Sequence, residues 1–343
     1  MCSLSEMIGD VTERYRSFGY FPSAAVRVFN SRTSLCTYAC GEAGDDSLFD
    51  VASLTKIATA TMVLRLVSQG RLDLEDPVGR FLPEIQKRPR LKERMEQVTV
   101  LSLLTHTSSL PAWYPFYVRQ QDSFFDILED VILSMPPEKG VVYSDLGFML
   151  LGRMLEEIHG MPLETCLQVH LVEPLGLGRM MYGPVKGKAV PSCFGNEIER
   201  DMCRERGLHF DAFRPDGVPV QGEANDGNCY YYFHGTAGHA GIFADTAAYM
   251  RLCQYYMNAT DPILKRACCT QEISPGRGLG FQTTVMYPRG CGHLGFTGTS
   301  IYFSRERDIG AVIFTNRLYE PVSLRQPTND FRRVVHELVY ASV

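Results

Sequence analysis

A serine and a lysine three residues apart, Ser53 and Lys56 in the segment Phe49-Asp-Val-Ala-Ser-Leu-Thr-Lys56, can do nucleophilic chemistry if a helix carries both on one face. A serine hydroxyl attacks a carbonyl well only after a base has taken its proton. A lysine is that base when it is neutral, a state that desolvation and nearby positive charge promote. At a helix N-terminus the backbone dipole also favours negative charge on the serine oxygen. Ser-x-x-Lys by itself is equally a serine cap followed by a surface lysine, so the pair needs partners.

Two later segments supply candidates. Val142-Tyr-Ser-Asp-Leu-Gly-Phe148 sets a phenol, Tyr143, two residues before a carboxylate, Asp145, at the start of an apolar helical run. Tyr143 can relay a proton between nucleophile and leaving group, while Asp145 can cap the helix and line the site. Gly292-His-Leu-Gly-Phe-Thr-Gly-Thr299 lies on a candidate strand punctuated by glycine. There Gly295 allows backbone to come close to a bound carbonyl, and the Phe296 N–H, with that of Ser53, can form an oxyanion hole.

Other reactive side chains have plainer readings. His106 is expected to hydrogen-bond its own turn, and the glycines around His239 to make a tight turn beside the site. A zinc site from Cys229, His234, His239, Cys291 and His293 lacks any standard ligand spacing. Gly276-x-Gly-x-Gly280 has no strand–turn–helix context for binding phosphate. Trp113, Tyr114, Phe116 and Tyr117 are expected in the core, with one or two free to line an acyl pocket. Tyr230–Phe233 is read the same way, as core or as a wall of the cleft.

The elements that must position these residues follow from periodicity. Leu4–Phe18 reads as a helix capped by Ser3 or Ser5, Ser23–Phe29 and Ser34–Ala39 as a hairpin, and Ala52–Gln69 as an apolar helix stopped by Gly70. Val98–Leu104, Phe124–Ser134, Leu146–His159 and Thr246–Met257 have helical spacing. The stretch from 183 to 235 is rich in Gly, Pro and charge and reads as an excursion over a site. Gly280–Tyr287, His293–Phe296, Ser300–Ser304 and Ile309–Thr315 read as strands, with Arg305–Asp308 as a turn, and Asp330–Tyr340 as a closing amphipathic helix. The expected fold is α/β of the α+β kind: an antiparallel sheet built from both chain ends, flanked by helices, with a mostly helical insertion. Residues 1–61 and 236–343 would form the sheet region and 62–235 the helical one.

Bulk properties exclude some functions. The chain has 343 residues, a net charge of −5 and 21% charged residues, so a nucleic-acid partner is not expected. Lys87–Arg94, the densest basic run, reads as a solvated face. No apolar stretch approaches the ~20 residues of a membrane span. The N-terminal residues lack the pattern of a secretory signal. Eleven cysteines, an odd number with no Cys-x-x-Cys pair, fit reduced thiols. The expected location is cytoplasmic.

Over nearly its whole length the chain resembles the penicillin-recognising serine hydrolases, the superfamily of class C β-lactamases, DD-peptidases and their esterase and amidase relatives. The resemblance rests on the three segments above, on Leu103-Leu-Thr-His-Thr-Ser-Ser-Leu-Pro111, Gln69-Gly-Arg-Leu-Asp-Leu-Glu-Asp-Pro77 and Glu173-Pro-Leu-Gly-Leu177, and on Gly235–Ile242. It implies a β-lactamase/transpeptidase-like fold with Ser53 as acylated nucleophile, Lys56 as its base and Tyr143 as the second acid–base group. It further implies Ser53 and Phe296 N–H groups as oxyanion donors and no cofactor or metal. Asp145 stands where the superfamily commonly has Asn, a residue that touches the acyl group or helps hold the lysine. His293 stands where penicillin-targeting members have Lys. A histidine only fractionally charged at neutral pH, with an added carboxylate, should weaken recognition of substrate carboxylates. The expected reaction is hydrolysis of an ester or amide, with peptidoglycan-derived peptides among the candidate substrates. A DD-peptidase or β-lactamase proper, and a non-catalytic binding protein on the same fold, are the alternatives. Oligomeric state is not legible in the sequence.

Overall fold

The strand Ile309–Thr315 (IGAVIFT) is buried along its whole length, as a run with no polar face requires. It is the centre of a five-stranded antiparallel sheet in the order Ser34–Cys40, Ala24–Phe29, Ile309–Thr315, Ser300–Ser304, Cys291–Leu294. Pairings such as Val26 with Ile313 and Val312 with Ile301 fix the register and join the two ends of the chain. The protein is seen here as a computed structural model, which describes residues 3–187, 189–320 and 327–343.

Strand alternation sorts the side chains into two cores. Val26, Val28, Ala311 and Ile313 meet Ile8 of the helix Leu4–Ser17 and Phe331, Val335 and Val339 of the helix Asn329–Ala341. Ser3 caps the first of these helices and shares a capping box with Glu6. On the opposite face Ala25, Phe29, Ile301, Phe303, Val312 and Phe314 join the larger core, which contains the helices Thr55–Ser68 and Thr246–Met257.

The helix Thr55–Ser68 is apolar nearly all round because it lies at the centre of that larger core, and Lys56 is therefore enclosed with it. A short 3₁₀ turn, Ala52–Leu54, precedes it, and Gly70 follows its C-cap with φ +67°. The helix Asp145–His159 packs against it and Val100–Leu104 packs against Asp145–His159; these and Phe124–Ser134 lie close to their expected spans. A small sheet of Phe49–Asp50, Ile242–Ala244 and Met180–Tyr182 leads the chain into the Ser53 turn.

The stretch from 183 to 235, read from its composition as a functional or partly structured excursion, carries several short elements. It forms a ribbon of Cys193–Phe194 with Pro219–Val220, the helix Glu197–Glu205 and a π-type turn Asn228–Tyr232. One expected strand is absent: Gly280–Tyr287 is a series of turns with isolated bridges only. Its amides are spent on turn and single-bridge contacts, Gly280 N–H on Leu104 O, Gln282 N–H on Gly292 O and Thr283 N–H on Gly276 O, after a turn in which Leu279 N–H bonds Ala267 O. A Cβ at Gly278 would sit 2.0 Å from Ala267 O, so this glycine allows a tight backbone approach rather than a strand. Among the described residues no helix is long and apolar enough to cross a membrane.

Candidate active site

Ser53 sits on a tightly made turn. Ala52, immediately before it, has φ +47°, a conformation that costs a non-glycine residue roughly 1–3 kcal/mol and must be held by its surroundings. Asp50 holds it: one carboxylate oxygen accepts the Ala52 N–H at 2.8 Å and the other accepts the Asn225 N–H at 2.6 Å. Burial pushes the Asp50 carboxyl up to about 6, against the pull of these two amides.

Lys56, one turn further, donates to Ser53 Oγ at 3.0 Å and to the His239 carbonyl at 3.2 Å. Its Nζ lies 2.7 Å from Asp145 Oδ1. Burial alone would lower the lysine's pKa, but the Asp145 charge and the Tyr143 phenol outweigh it and the net shift is upward. The resting side chain is therefore an ammonium ion, which corrects the expectation of a neutral lysine. The carboxylate responsible is Asp145, expected from the sequence to touch the acyl group or help hold the lysine, and the fold brings it in from a distant helix.

Asp145 is the first residue of its helix, but its cap is Ser144, whose Oγ accepts the Gly147 N–H at 3.3 Å. The carboxylate is thus free of capping and turns to Lys56. Tyr143 lies just before, its ring centroid 5.0 Å from Lys56 Nζ. His106 organises this loop: with φ +60°, it accepts the Ser144 N–H on Nδ1 at 3.1 Å, and its ring lies 4.6 Å from that of Tyr143. Burial drives its pKa well down, so it is a neutral acceptor, in keeping with a structural role.

The third segment runs along the edge strand Cys291–Leu294 and turns toward Ser53. Thr297 Oγ1 donates to Asp50 O at 2.7 Å and Thr299 Oγ1 to Val51 O at 2.9 Å, so two side chains pin this turn to the nucleophile segment. Gly295 is needed there, since a Cβ would meet Thr299 Oγ1 at 2.0 Å and Val51 O at 2.5 Å. Among the described residues, the Phe296 amide makes no backbone hydrogen bond, and its side chain is 47% exposed. His293 is fully buried, with Nδ1 donating to Leu294 O at 2.9 Å. Burial, then Arg277 and Lys56, lower its pKa well below the usual value, so it is neutral rather than fractionally charged.

Ser53, Tyr143, Asp145, Gly295 and Phe296 open on one cavity of about 390 Å³. Trp113 lines it, whereas Phe116 and Tyr117 are buried in the core. Tyr230 and Tyr231 border a separate cavity and do not wall this one. Cys193–Glu199, Met202, Asn225 and Asp226 from the 183–235 stretch do wall it. His239 is buried with Nε2 2.9 Å from Asp226 Oδ1, so its ring braces the wall while its carbonyl receives Lys56. Among the described residues no group of three or more His, Cys, Asp and Glu is placed to hold a metal ion.

Sequence reasoning missed three arginines that line the cavity, Arg277, Arg317 and Arg332. Arg332 is buried and donates to Gly295 O and Thr299 O, both at 2.9 Å, which braces the Gly295 turn. Its signal was an arginine on the apolar face of the last helix. Arg277 stands 5.2 Å from the Tyr143 ring centroid, presented by the glycine-rich turn 276–280, whose sequence says only that it is no phosphate loop. The arrangement can polarise a serine hydroxyl with a charged lysine, accept its proton through a partly exposed carboxylate, and offer a phenol nearby.

Comparison with known proteins bears on family and fold. The family model described as Beta-lactamase matches residues 11–333. An N-acetylmuramyl-L-alanine amidase of Bacillus subtilis (strain 168) is 28% identical over 307 residues, 80% of this chain and 69% of that protein. In structure, a class C beta lactamase from Rhodobacter sphaeroides aligns with a TM-score of 0.71 at 18% identity, covering 98% of this chain and 99% of the other. A D-alanine carboxypeptidase from Burkholderia cenocepacia aligns at 0.69 and 15% identity, covering 99% of each. At these identities the two structures speak for the fold.

Proposed function

The chain belongs to the beta-lactamase family, and from that premise we propose that it hydrolyses an ester or amide through an acyl-enzyme on Ser53. The observation that carries this reading is the contact sequence Asp145–Lys56–Ser53, 2.7 Å and then 3.0 Å, opening on the cavity. Lys56 passes a proton to Asp145 and takes the Ser53 proton in its place, so the lysine is a base only through its carboxylate. The Ser53 oxygen bonds to the substrate carbonyl carbon, and the oxyanion is received by the Ser53 and Phe296 amides. Collapse breaks the carbon–leaving-group bond, and Tyr143 gives the leaving oxygen or nitrogen its proton. Water then enters, Tyr143 recovers a proton from it, and Ser53 is released with its own proton restored.

The relatives are named for amide and peptide substrates, which supports small acyl esters and peptidoglycan-derived peptides as substrate classes here. Buried thiols such as Cys166, Cys203, Cys253 and Cys291 are in keeping with a reducing, cytoplasmic setting. Mass spectrometry after exposure to a fluorophosphonate probe tests the central claim. A single adduct on Ser53, absent in Ser53→Ala, is expected. Folded, unlabelled wild-type protein would favour a non-catalytic binding role.

A further inference from the structure

Away from the Ser53 cavity, four thiols crowd together beside the edge strand Cys291–Leu294. Cys268, Cys269 and Cys291 border one small cavity of about 300 Å³. Cys253 lies behind them: its thiol is pushed well upward by burial and then by the nearness of Cys268. Cys269 is exposed, Cys268 half-buried, and Cys253 and Cys291 buried, so the group leads from solvent into the core. Lys265, Arg289 and Arg305 line the same cavity against a single carboxylate, Glu306. Cations so placed would steady an anion released there.

The thiols are not equivalent. Cys268 Sγ donates to Leu264 O at 3.7 Å and Cys269 Sγ to Lys265 O at 3.4 Å, weak bonds within the helix Pro262–Ala267 and its cap. Burial, and then a hydrogen bond with Cys268, hold the Cys291 thiol well above the usual range, so Cys268 is its partner. Both residues stand at the root of a segment that reaches the Ser53 cavity. Cys291 opens the strand that runs through His293 to the Gly295 turn, and the next residue, Gly292, exchanges two backbone bonds with Gln282 at 2.8 and 2.9 Å. Cys268 follows Ala267, whose carbonyl accepts the Leu279 N–H at 3.0 Å and so holds the 276–280 turn.

We propose that Cys268 and Cys291 form a redox modification site, where hydrogen peroxide oxidises Cys268 and Cys291 closes a disulfide onto it. The Cys268 sulfur bonds to one peroxide oxygen as the O–O bond breaks, and the departing hydroxide takes up the thiol proton. A sulfenic acid and one water result. The Cys291 sulfur, giving up its proton, then bonds to the Cys268 sulfur; the S–O bond breaks and hydroxide leaves as a second water. Two thiols lose two electrons in all, and one peroxide gains them. A transient disulfide of this kind is the sort that a reducing compartment admits. Its sulfurs stand ~2 Å apart, nearer than two thiols pack, so the bond draws the edge strand toward the helix cap. The Gly295 turn is carried off the position that Thr297 and Thr299 set for it. This loss of the oxyanion turn rests on the Ser53 reading above; the disulfide does not.

The test treats the full chain with hydrogen peroxide, alkylates the remaining thiols, digests without reductant and reads the peptides by mass spectrometry. A Cys268–Cys291 link that dithiothreitol reverses is expected in wild type and in Cys269→Ser, and is expected to vanish in Cys268→Ser. Oxidation confined to Cys269, or a link from Cys269 to Cys291, overturns the proposal. Turnover of p-nitrophenyl acetate is followed on the same samples. Linked wild type should lose about 10- to 100-fold in kcat/KM and regain it with dithiothreitol, while Cys268→Ser keeps its rate through the treatment. A complete link with undiminished turnover overturns the displacement of the Gly295 turn. The link is read without any catalysis, so a protein that takes no fluorophosphonate on Ser53 and still forms it loses the hydrolase reading alone.

Discussion

Lys56 and Asp145 form a buried ion pair, 2.7 Å from Nζ to Oδ1, in which the lysine is wholly enclosed and the carboxylate 19% exposed. Two neutral groups would be easier to bury, so the pair has to be explained by what it keeps ready: an ammonium held against Ser53 with a proton acceptor behind it.

Asp145→Asn separates the two contributions. With the carboxylate present the Lys56 pKa is raised, so the pair's stabilisation is complete below about pH 10 and lost only above it. In the variant burial acts alone, the folded state binds fewer protons than the unfolded one, and stability rises with pH. We expect a deficit of about 3–5 kcal/mol near neutrality that narrows toward alkaline pH, measured by denaturant melts. The kcat should fall on the order of 100-fold near neutrality and partly recover as Lys56 loses its proton. A flat pH–rate profile would rule out a base that works through Asp145.

Tyr143→Phe keeps the ring that lies 4.6 Å from His106 and 5.0 Å from Lys56 Nζ, and removes only the phenol. The expected result is a kcat loss of about 10²- to 10⁴-fold with the melting temperature nearly unchanged. Fluorophosphonate labelling of Ser53 should slow much less, because that probe carries a good leaving group. Wild-type turnover in the variant would remove Tyr143 from the mechanism.

Gly295→Ala forces a methyl group against Thr299 Oγ1 and Val51 O. The turn must move away from the nucleophile, taking the Phe296 amide with it. Activity should drop by on the order of 100-fold, with a stability loss of about 1–3 kcal/mol. Steady-state kinetics beside thermal melts will tell; a variant that melts early but turns over normally would deny the Phe296 amide its role.

Asp50 gives a stability prediction with a definite sign. Its folded carboxyl is pushed up to about 6, so the folded state keeps a proton where the unfolded chain has already lost one. Stability is full below about pH 4 and declines as pH climbs through about 6, by roughly 3 kcal/mol from this group. Wild type compared with Asp50→Asn in urea melts across that range should show their difference shrinking as pH rises. A difference that grows with pH would contradict the burial argument.

What the sequence made legible was local or strongly patterned. Ser53 and Lys56 face one way because helical spacing makes them do so, and Ile309–Thr315 could only be a buried strand. The strand–helix–strand order of the whole chain followed from the same periodicity. The charge state of the site was not legible, because it is set by residues that meet only in the folded protein. Lys56 stays protonated because of Asp145, and His293 stays neutral because the edge strand is covered. Arg277 was hidden by its setting, since glycines at 276, 278 and 280 said nothing about which amides they would meet. Once those amides are bonded to Ala267 and Leu104, the segment can no longer be a strand, and its arginine is turned toward Tyr143.

Thr297 and Thr299 pin the nucleophile segment through carbonyls of Asp50 and Val51, and the Ser23 N–H donates to Asn316 Oδ1 across 293 residues of chain. A chain under synthesis has therefore made Ser53 and Lys56 long before it has made the groups that hold Ser53 in place. During that interval the helix has no edge strand over it and no oxyanion turn beside it. Contacts so distant in sequence form slowly, since the loop between them must be closed before it is rewarded. The turn that holds Ser53 is consequently complete only when the later strands have paired beside the first.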